Sequence, residues 1–266
     1  MHIAKLTGTV GAELTEIDLK ALDETEFAKV KDALWTHGVL AFRDQKLSPA
    51  DHVAFAERWG EINVNRFLNK VEGYPQIADV RTLPSQNIVI GGTWHTDHSY
   101  DPAPAMASIL VARELPDFGG DTCFASQTAA YAHLSSGLKA TLEGLNAWHS
   151  DSSFEGADHR FGIGADTGVE SLHPVIITHP QSGQRALYVN VDFTMHFDGW
   201  TREESQPLLD YLYAFCTQPA FQCRISYAPG TVVMWDNRLV QHFAVADYQG
   251  QGRYMQRITI EGQPLK

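Results

Sequence analysis

His95 and Asp97, two positions apart in Trp94-His95-Thr96-Asp97, constrain this chain more than any other feature. Side chains on an extended strand alternate between its faces, so both groups project to the same side and can reach one metal ion. A candidate third ligand, His242, lies far downstream in Trp235-Asp236-Asn237-Arg238-Leu239-Val240-Gln241-His242. Two imidazoles and one carboxylate would occupy one face of an octahedron and leave the opposite face open, as in a non-haem Fe(II) centre. Alone, a His-x-Asp pair is a weak signal compatible with several metals. The fold must also bring two distant parts of the chain together.

The 266 residues suffice for one large domain, read as 1–266, with a buried core. A net charge of −12 speaks against nucleic acid, whose phosphates would be repelled. An anionic ligand would need local arginines to bind against that field. The three cysteines, Cys123, Cys216 and Cys223, are odd in number and form no C-x-x-C pair. Neither a disulfide framework nor a thiolate zinc site is expected, and a reducing cytoplasm fits. Met1-His2-Ile3-Ala4-Lys5 opens no apolar signal segment, and no run reaches membrane-spanning length, so no membrane partner is expected.

Along the chain, Asp23 and Thr25 open a helical run in which Phe27, Val30, Leu34 and Trp35 share a face, and Gly38 stops it. Val39-Leu40-Ala41-Phe42 reads as a buried strand. Ser48-Pro49-Ala50-Asp51 is a helix start, with serine as cap and proline at the first position. From Gly60 to Trp94 the helical period is lost, which predicts loop with short strands, either a pocket wall or a plain surface excursion. Met106 to Ala112 is an ungapped apolar run that suits a buried strand. Two helices are expected around Gln127–Leu134 and Gly137–Leu142. Ser150 to Ser171 has little periodicity and reads as loop. Val175–Thr178 and Ala186–Val189 flank Pro180-Gln181-Ser182-Gly183 as a hairpin. Thr201-Arg202-Glu203-Glu204 is a capping box opening a helix whose Leu208, Leu209, Leu212 and Phe215 face inward. Strand signals close the chain at Phe221–Tyr227, Thr231–Trp235 and Tyr254–Glu261. The class is mainly β with flanking helices.

Arg253 and Arg257 share strand parity, so both face one side. Either they line a cavity with the metal, each inviting an anion, or they sit in structural salt bridges; spacing leaves both open.

The order His95-x-Asp97, Thr122, His242, Arg253, Arg257 resembles the TauD/TfdA family of Fe(II)- and 2-oxoglutarate-dependent dioxygenases. The resemblance runs nearly the whole length. It includes Gly11-Ala12-Glu13, Ile17-Asp18-Leu19, Phe42-Arg43-Asp44-Gln45, Trp59-Gly60-Glu61, Glu114-Leu115-Pro116, Gly119-Gly120-Asp121-Thr122, His173-Pro174-Val175, Thr178-His179-Pro180 and Trp235-Asp236-Asn237. It implies a double-stranded β-helix, or jelly roll. It also implies that His95, Asp97 and His242 hold Fe(II), that Thr122 and Arg253 bind the distal carboxylate of 2-oxoglutarate, and that Arg257 grips the substrate's anionic group. Trp94 would pack behind the first ligand. With O2, the expected reaction releases succinate and CO2 and hydroxylates the substrate, breaking a C–O or C–S bond when the hydroxylated carbon carries that leaving group. The protein's share is positioning and exclusion of water. A homo-oligomer, dimer or tetramer, is expected.

Taurine-cleaving members carry a histidine at the end of Gly-Glu-Leu-x-x-His. Here the segment is Gly60-Glu61-Ile62-Asn63-Val64-Asn65, and Asn65 donates a hydrogen bond but cannot become cationic. Val71-Glu72-Gly73-Tyr74-Pro75, Glu143-Gly144-Leu145-Asn146 and Pro207-Leu208-Leu209 look closer to the aryloxyalkanoate dioxygenases. The expected substrate is a small anion: an aryloxyalkanoate or other carboxylate, a sulfonate or a sulfate ester. Tyr100, Phe154 and Phe193 are candidates for an apolar wall or for core. His98 would point away from the triad on an ideal strand, but a turn there would bring its backbone N–H or ring to the substrate anion. His149, His159, His173, His179 and His196 read as structural or surface residues. Two other classes share the ligands: a zinc hydrolase and a non-catalytic jelly-roll binding protein.

Overall fold

A computed structural model describes residues 1–86, 89–154 and 167–266. A nine-stranded sheet forms its larger layer. Its order runs His2–Lys5, Ala12–Thr15, Val39–Phe42, Val232–Asp236, Ala107–Glu114, Arg253–Ile260, Tyr74–Thr82 and Lys70–Val71, with Ile62–Asn63 also paired to Arg253–Ile260. A three-stranded sheet of Gln222–Ile225, Thr122–Ser126 and Val240–Ala244 faces it.

The apolar runs are ungapped because both faces of the large sheet are covered. In Val39–Phe42, Leu40 and Phe42 join a core under the N-terminal helices, whereas Val39 and Ala41 join a second core between the sheets. Val232–Asp236 divides likewise: Val232 and Met234 go outward to the helices, and Val233 and Trp235 go inward. Phe124, Cys223 and Val240 of the small sheet share that inner core. Two facing sheets of this kind make the expected jelly roll.

Helices Glu24–His37 and Pro49–Glu57 cover the outer face. Each begins with a capping box, Asp23 with Glu26 and Ser48 with Asp51, which satisfies amide groups that the first helical turn leaves free. A second lobe packs Gln127–His133, Ser136–Leu142 and Arg202–Cys216 against the strands Asn146–Ser150, Glu170–Pro174 and Thr194–Phe197 and the hairpin Ile176–Thr178/Arg185–Leu187. The helix from Arg202 buries Leu209 and Leu212 as predicted, with Ser205 and Cys216, while Leu208 and Phe215 are only partly buried.

Two expectations need adjustment. The stretch 60–94 contains a nine-residue strand, Tyr74–Thr82, hidden from sequence reading by Pro75 and an irregular burial pattern. The His-x-Asp motif is extended only at its start. His95 makes a single bridge, and Asp97 to Tyr100 already form a turn in which His98 has φ +59°. Most of the loop read at 150–171, with His159, lies outside the described residues.

Candidate active site

His95 and His242 stand directly opposite each other across an isolated antiparallel bridge. Their backbones exchange both hydrogen bonds, 3.0 Å from His95 N to His242 O and 2.9 Å in return. Opposed residues in such a pair share a face, and the ring centroids lie 4.2 Å apart. The turn after His95 brings the Asp97 carboxylate beside them: Oδ1 is 3.6 Å from His95 Nε2, and Oδ2 is 4.0 Å from His242 Nε2. All three residues are buried, and among the described residues they form the one group of three or more His, Cys, Asp or Glu whose donor atoms converge as for a metal ion.

The rings are oriented for that purpose. His95 Nδ1 donates to Thr93 O at 2.7 Å, which frees Nε2 as a lone-pair donor. His242 is held by packing, stacked on Phe124 at 5.9 Å and tilted against Trp235 at 4.5 Å. Asp97 Oδ2 accepts from Ser108 Oγ at 2.7 Å. Ser108 Oγ accepts from Asn237 Nδ2 at 3.2 Å, and Asn237 Oδ1 accepts from Trp235 Nε1 at 2.9 Å. Burial opposes ionisation of Asp97, but the Arg257 guanidinium holds its carboxyl well below the usual carboxylate range. Burial and the neighbouring His95 push His242 well below the ordinary histidine value, so it is neutral, as ligation requires.

The two arginines differ. Arg257 Nη1 donates to Asp97 Oδ1 at 2.9 Å, and its Nε is buried with no partner. The salt-bridge reading therefore holds for Arg257, although its partner is a candidate metal ligand. Arg253 is 4% exposed. Its Nε donates to Gly120 O at 3.1 Å, its Nη2 has no partner, and among the described residues no carboxylate pairs with it. Its guanidinium lies 5.3 Å from the Tyr227 ring, and the Tyr227 hydroxyl bonds Thr122 Oγ1 at 2.8 Å. A buried guanidinium without a counter-ion invites an anion.

Both arginines, the three candidate ligands and Thr122 line one cavity that opens to solvent. Asn65, His98, Tyr100, Phe154 and Phe193 line it too, so every residue singled out for substrate in the sequence reaches it. The side chain of Asn65 is oriented by its acceptor: Oδ1 takes the backbone N–H of Phe67 and Leu68, each at 2.9 Å. Its amide nitrogen is thereby turned to His98 Nε2, 3.3 Å away. His98 Nδ1 faces Asp101 Oδ2 at 2.9 Å, and Arg66 bridges Asp101 and Asp151 at 3.0 and 2.9 Å. The apolar wall gains Phe67, whose ring is 4.5 Å from Phe154, while Tyr100 meets Phe193 at 4.9 Å. Trp94 lies outside the cavity, against Phe243 at 4.6 Å. His149, His173 and His179 are buried in hydrogen-bonded settings away from the cavity, in keeping with structural roles.

Sequence reading missed Ser108, Tyr227, Phe67 and the Arg66–Asp101 pair. Ser108 carried a signal: it is the hydroxyl inside the otherwise apolar run Met106 to Ala112, and a buried hydroxyl requires a partner.

A jelly roll that turns two imidazoles and a carboxylate into a cation-lined cavity presents a candidate mononuclear non-haem metal centre. The family is narrower. Residues 2–259 match the family model described as taurine catabolism dioxygenase TauD, TfdA family, and the chain belongs to that family. An alkylsulfatase of Acinetobacter baylyi is 34% identical, covering 99% of this chain and 86% of that one. An (S)-phenoxypropionate/alpha-ketoglutarate-dioxygenase of Sphingobium herbicidovorans is 31% identical over 98% of this chain and 95% of its own. The crystal structure of a taurine dioxygenase from Burkholderia xenovorans superposes with a TM-score of 0.85 at 32% identity, covering 98% of this chain and 91% of that chain. The chain is an oxidoreductase of the 2-oxoglutarate-dependent dioxygenase type.

Proposed function

We propose that this chain is an Fe(II)- and 2-oxoglutarate-dependent dioxygenase that hydroxylates a small anionic organic substrate with an apolar body. The observation that carries this is the pairing of the His95/Asp97/His242 group with the buried, unpaired Arg253 in one cavity. A metal site alone suits many chemistries, but a metal beside a buried unpaired cation suits a chelating keto acid with a second carboxylate.

The donor set fits iron: two neutral-capable imidazoles and one ionised carboxylate, with His95 Nε2 freed by the Thr93 carbonyl. His95, Asp97 and His242 would hold Fe(II). With O2, that iron supplies the oxidative chemistry, coupling decarboxylation of 2-oxoglutarate to succinate and CO2 with hydroxylation of a substrate C–H bond. Arg253 and Thr122 receive the distal carboxylate of 2-oxoglutarate. Ser108 and Arg257 keep Asp97 ionised and oriented. Arg257 presents its free Nε–H, with the Asn65 amide and His98, to the anionic head of the substrate. Phe67, Tyr100, Phe154 and Phe193 exclude water around the carbon that reacts.

The substrate class is a carboxylate such as an aryloxyalkanoate, a sulfonate or a sulfate ester. The relatives named for phenoxypropionate, alkyl sulfate and taurine chemistry support that range, and the aromatic wall favours an aryl or alkyl body over the short chain of taurine. Where the hydroxylated carbon bears oxygen or sulfur, the product collapses with C–O or C–S cleavage. A homo-oligomer, dimer or tetramer, in a reducing cytoplasm completes the reading, and the three free buried cysteines agree with it.

Succinate release with Fe(II) and 2-oxoglutarate in air, screened across sulfonates, sulfate esters and aryloxyalkanoates, tests the reading. Anaerobic Fe(II) and 2-oxoglutarate are expected to give a weak visible charge-transfer band. No band, with hydrolysis supported by zinc, would overturn it.

A further inference from the structure

The turn Gly119-Gly120-Asp121-Thr122 is clamped by charged groups that play no part in the chemistry above. Gly119 and Gly120 have φ of +72° and +70°, a conformation that glycine adopts without strain. A Cβ on Gly119 would overlap Asp247 Oδ1, so the Asp247 carboxylate rests directly on the turn. Asp247 Oδ1 accepts the Gly120 N–H at 2.8 Å. Arg224 binds both flanking acids, Asp247 Oδ2 at 2.9 Å and Asp121 Oδ2 at 2.5 Å. The backbone O of Asp121 accepts the Val245 N–H at 2.9 Å, which ties the turn to the end of the strand that carries His242.

The clamped turn meets the cavity at two places. The Gly120 carbonyl accepts from Arg253 Nε at 3.1 Å, and a Cβ on Gly120 would lie 3.2 Å from Arg253 Cδ and Nε. Thr122, the next residue but one, starts the strand and offers its hydroxyl to the same cavity. Arg224 is half-exposed, with a side-chain accessibility of 51%, and such ion pairs contribute little to stability. Their effect here is geometric. A guanidinium turned away from its carboxylate loses the paired hydrogen bonds that make it selective.

We propose that Arg224, Asp121 and Asp247 are positioning residues that set the affinity for the distal carboxylate of 2-oxoglutarate, by fixing the Gly120 carbonyl that aims Arg253 and the strand start that carries Thr122. The inference rests on the reading of Arg253 and Thr122 as the receptor for that carboxylate.

The test is a calorimetric titration of the full chain loaded with Mn(II), using 2-oxoglutarate and, separately, oxalate. Oxalate has a chelating end but no distal carboxylate. Asp247→Ala is expected to weaken 2-oxoglutarate binding about tenfold, on the scale of lost supporting contacts, and to leave oxalate nearly unchanged. Arg224→Met, an exposed change that keeps the fold if Asp247→Ala does not, is expected to weaken 2-oxoglutarate by about threefold, as for loss of part of such a support. Asp247→Asn, which still accepts the Gly120 N–H, is expected to recover most of the loss. Equal weakening of both ligands would mean a general structural role and overturn the proposal. If Arg253→Ala weakens 2-oxoglutarate and neither Asp247→Ala nor Arg224→Met does, the clamp alone falls. If Arg253→Ala binds 2-oxoglutarate as the unaltered chain does, the receptor reading falls and takes the clamp with it.

Discussion

At the scale of single residues, the proposed roles of the two arginines on the strand Arg253–Ile260 divide the ligands between them. Arg253→Ala is expected to raise the 2-oxoglutarate concentration needed for half-maximal turnover by about a hundredfold, the effect of removing a charge-assisted carboxylate contact worth roughly 3 kcal/mol. Arg257→Ala is expected to act mainly on the primary substrate, and steady-state kinetics varying each substrate in turn would separate the two. An exchange of these effects would reverse the assignment. Ser108→Ala removes the hydroxyl that donates to Asp97 Oδ2 at 2.7 Å. Its expected result is metal binding weaker by about tenfold, read by Mn(II) titration, with little change in melting temperature. The candidate ligands were readable as a local His-x-Asp pattern with a distant histidine, although Asp97 comes beside His95 through a turn and not along one strand face. Ser108 and the Arg224–Asp247 clamp were not, because their partners are distant in sequence and no periodicity announces them. His98 was partly readable. Its position beside Asp97 suggested a role, but the positive φ that turns its ring into the cavity is a property of the folded turn.

Secondary-structure elements were recognisable where their signals are local. Asp23, Ser48 and Thr201 cap helices where the sequence indicates, and each box closes with the acid three residues on. Thr201→Ala is expected to destabilise the protein by about 1 kcal/mol, measured by urea unfolding. A much larger effect awaits Trp235→Ala, about 3–5 kcal/mol, because Trp235 is 1% exposed and supports both Phe124 and the His242 ring. A Trp235 variant that lost only 1 kcal/mol or so would contradict its place in the inner core. The long strand Tyr74–Thr82 was not recognisable, since its pairing to Arg253–Ile260 is decided by the partner strand and not by its own alternation. The jelly roll follows from the family resemblance. The division of each strand's residues between outer and inner cores is visible only once both cores exist.

For the whole molecule, buried histidines make stability depend on acidity. His52 is fully buried, and burial and the Arg113 guanidinium press its pKa to about 3. Burial, with His173 nearby, also holds His149 well below the ordinary value. In the unfolded chain both rings take a proton below about pH 6.5. Between that pH and about 3 the unfolded state therefore binds more protons than the folded state, and stability falls as pH falls. Each ring steepens the loss by up to about 1.4 kcal/mol per pH unit, and His52→Leu should remove one such increment from urea unfolding measured between pH 7 and about 5. An unchanged slope would mean that His52 is protonated in the folded protein.

The bridge between His95 and His242 has a further consequence for the chain as a polymer. One residue pair joins the segment leading into the turn at Asp97 to a strand near the C-terminal end, with most of the second lobe looped out between them. The ion proposed for the two imidazoles would act as a removable cross-link across that loop, stabilising the closed chain in the manner of a long-range disulfide but under the control of a chelator. Supply of the proposed metal would then govern how long the protein survives as well as how fast it works.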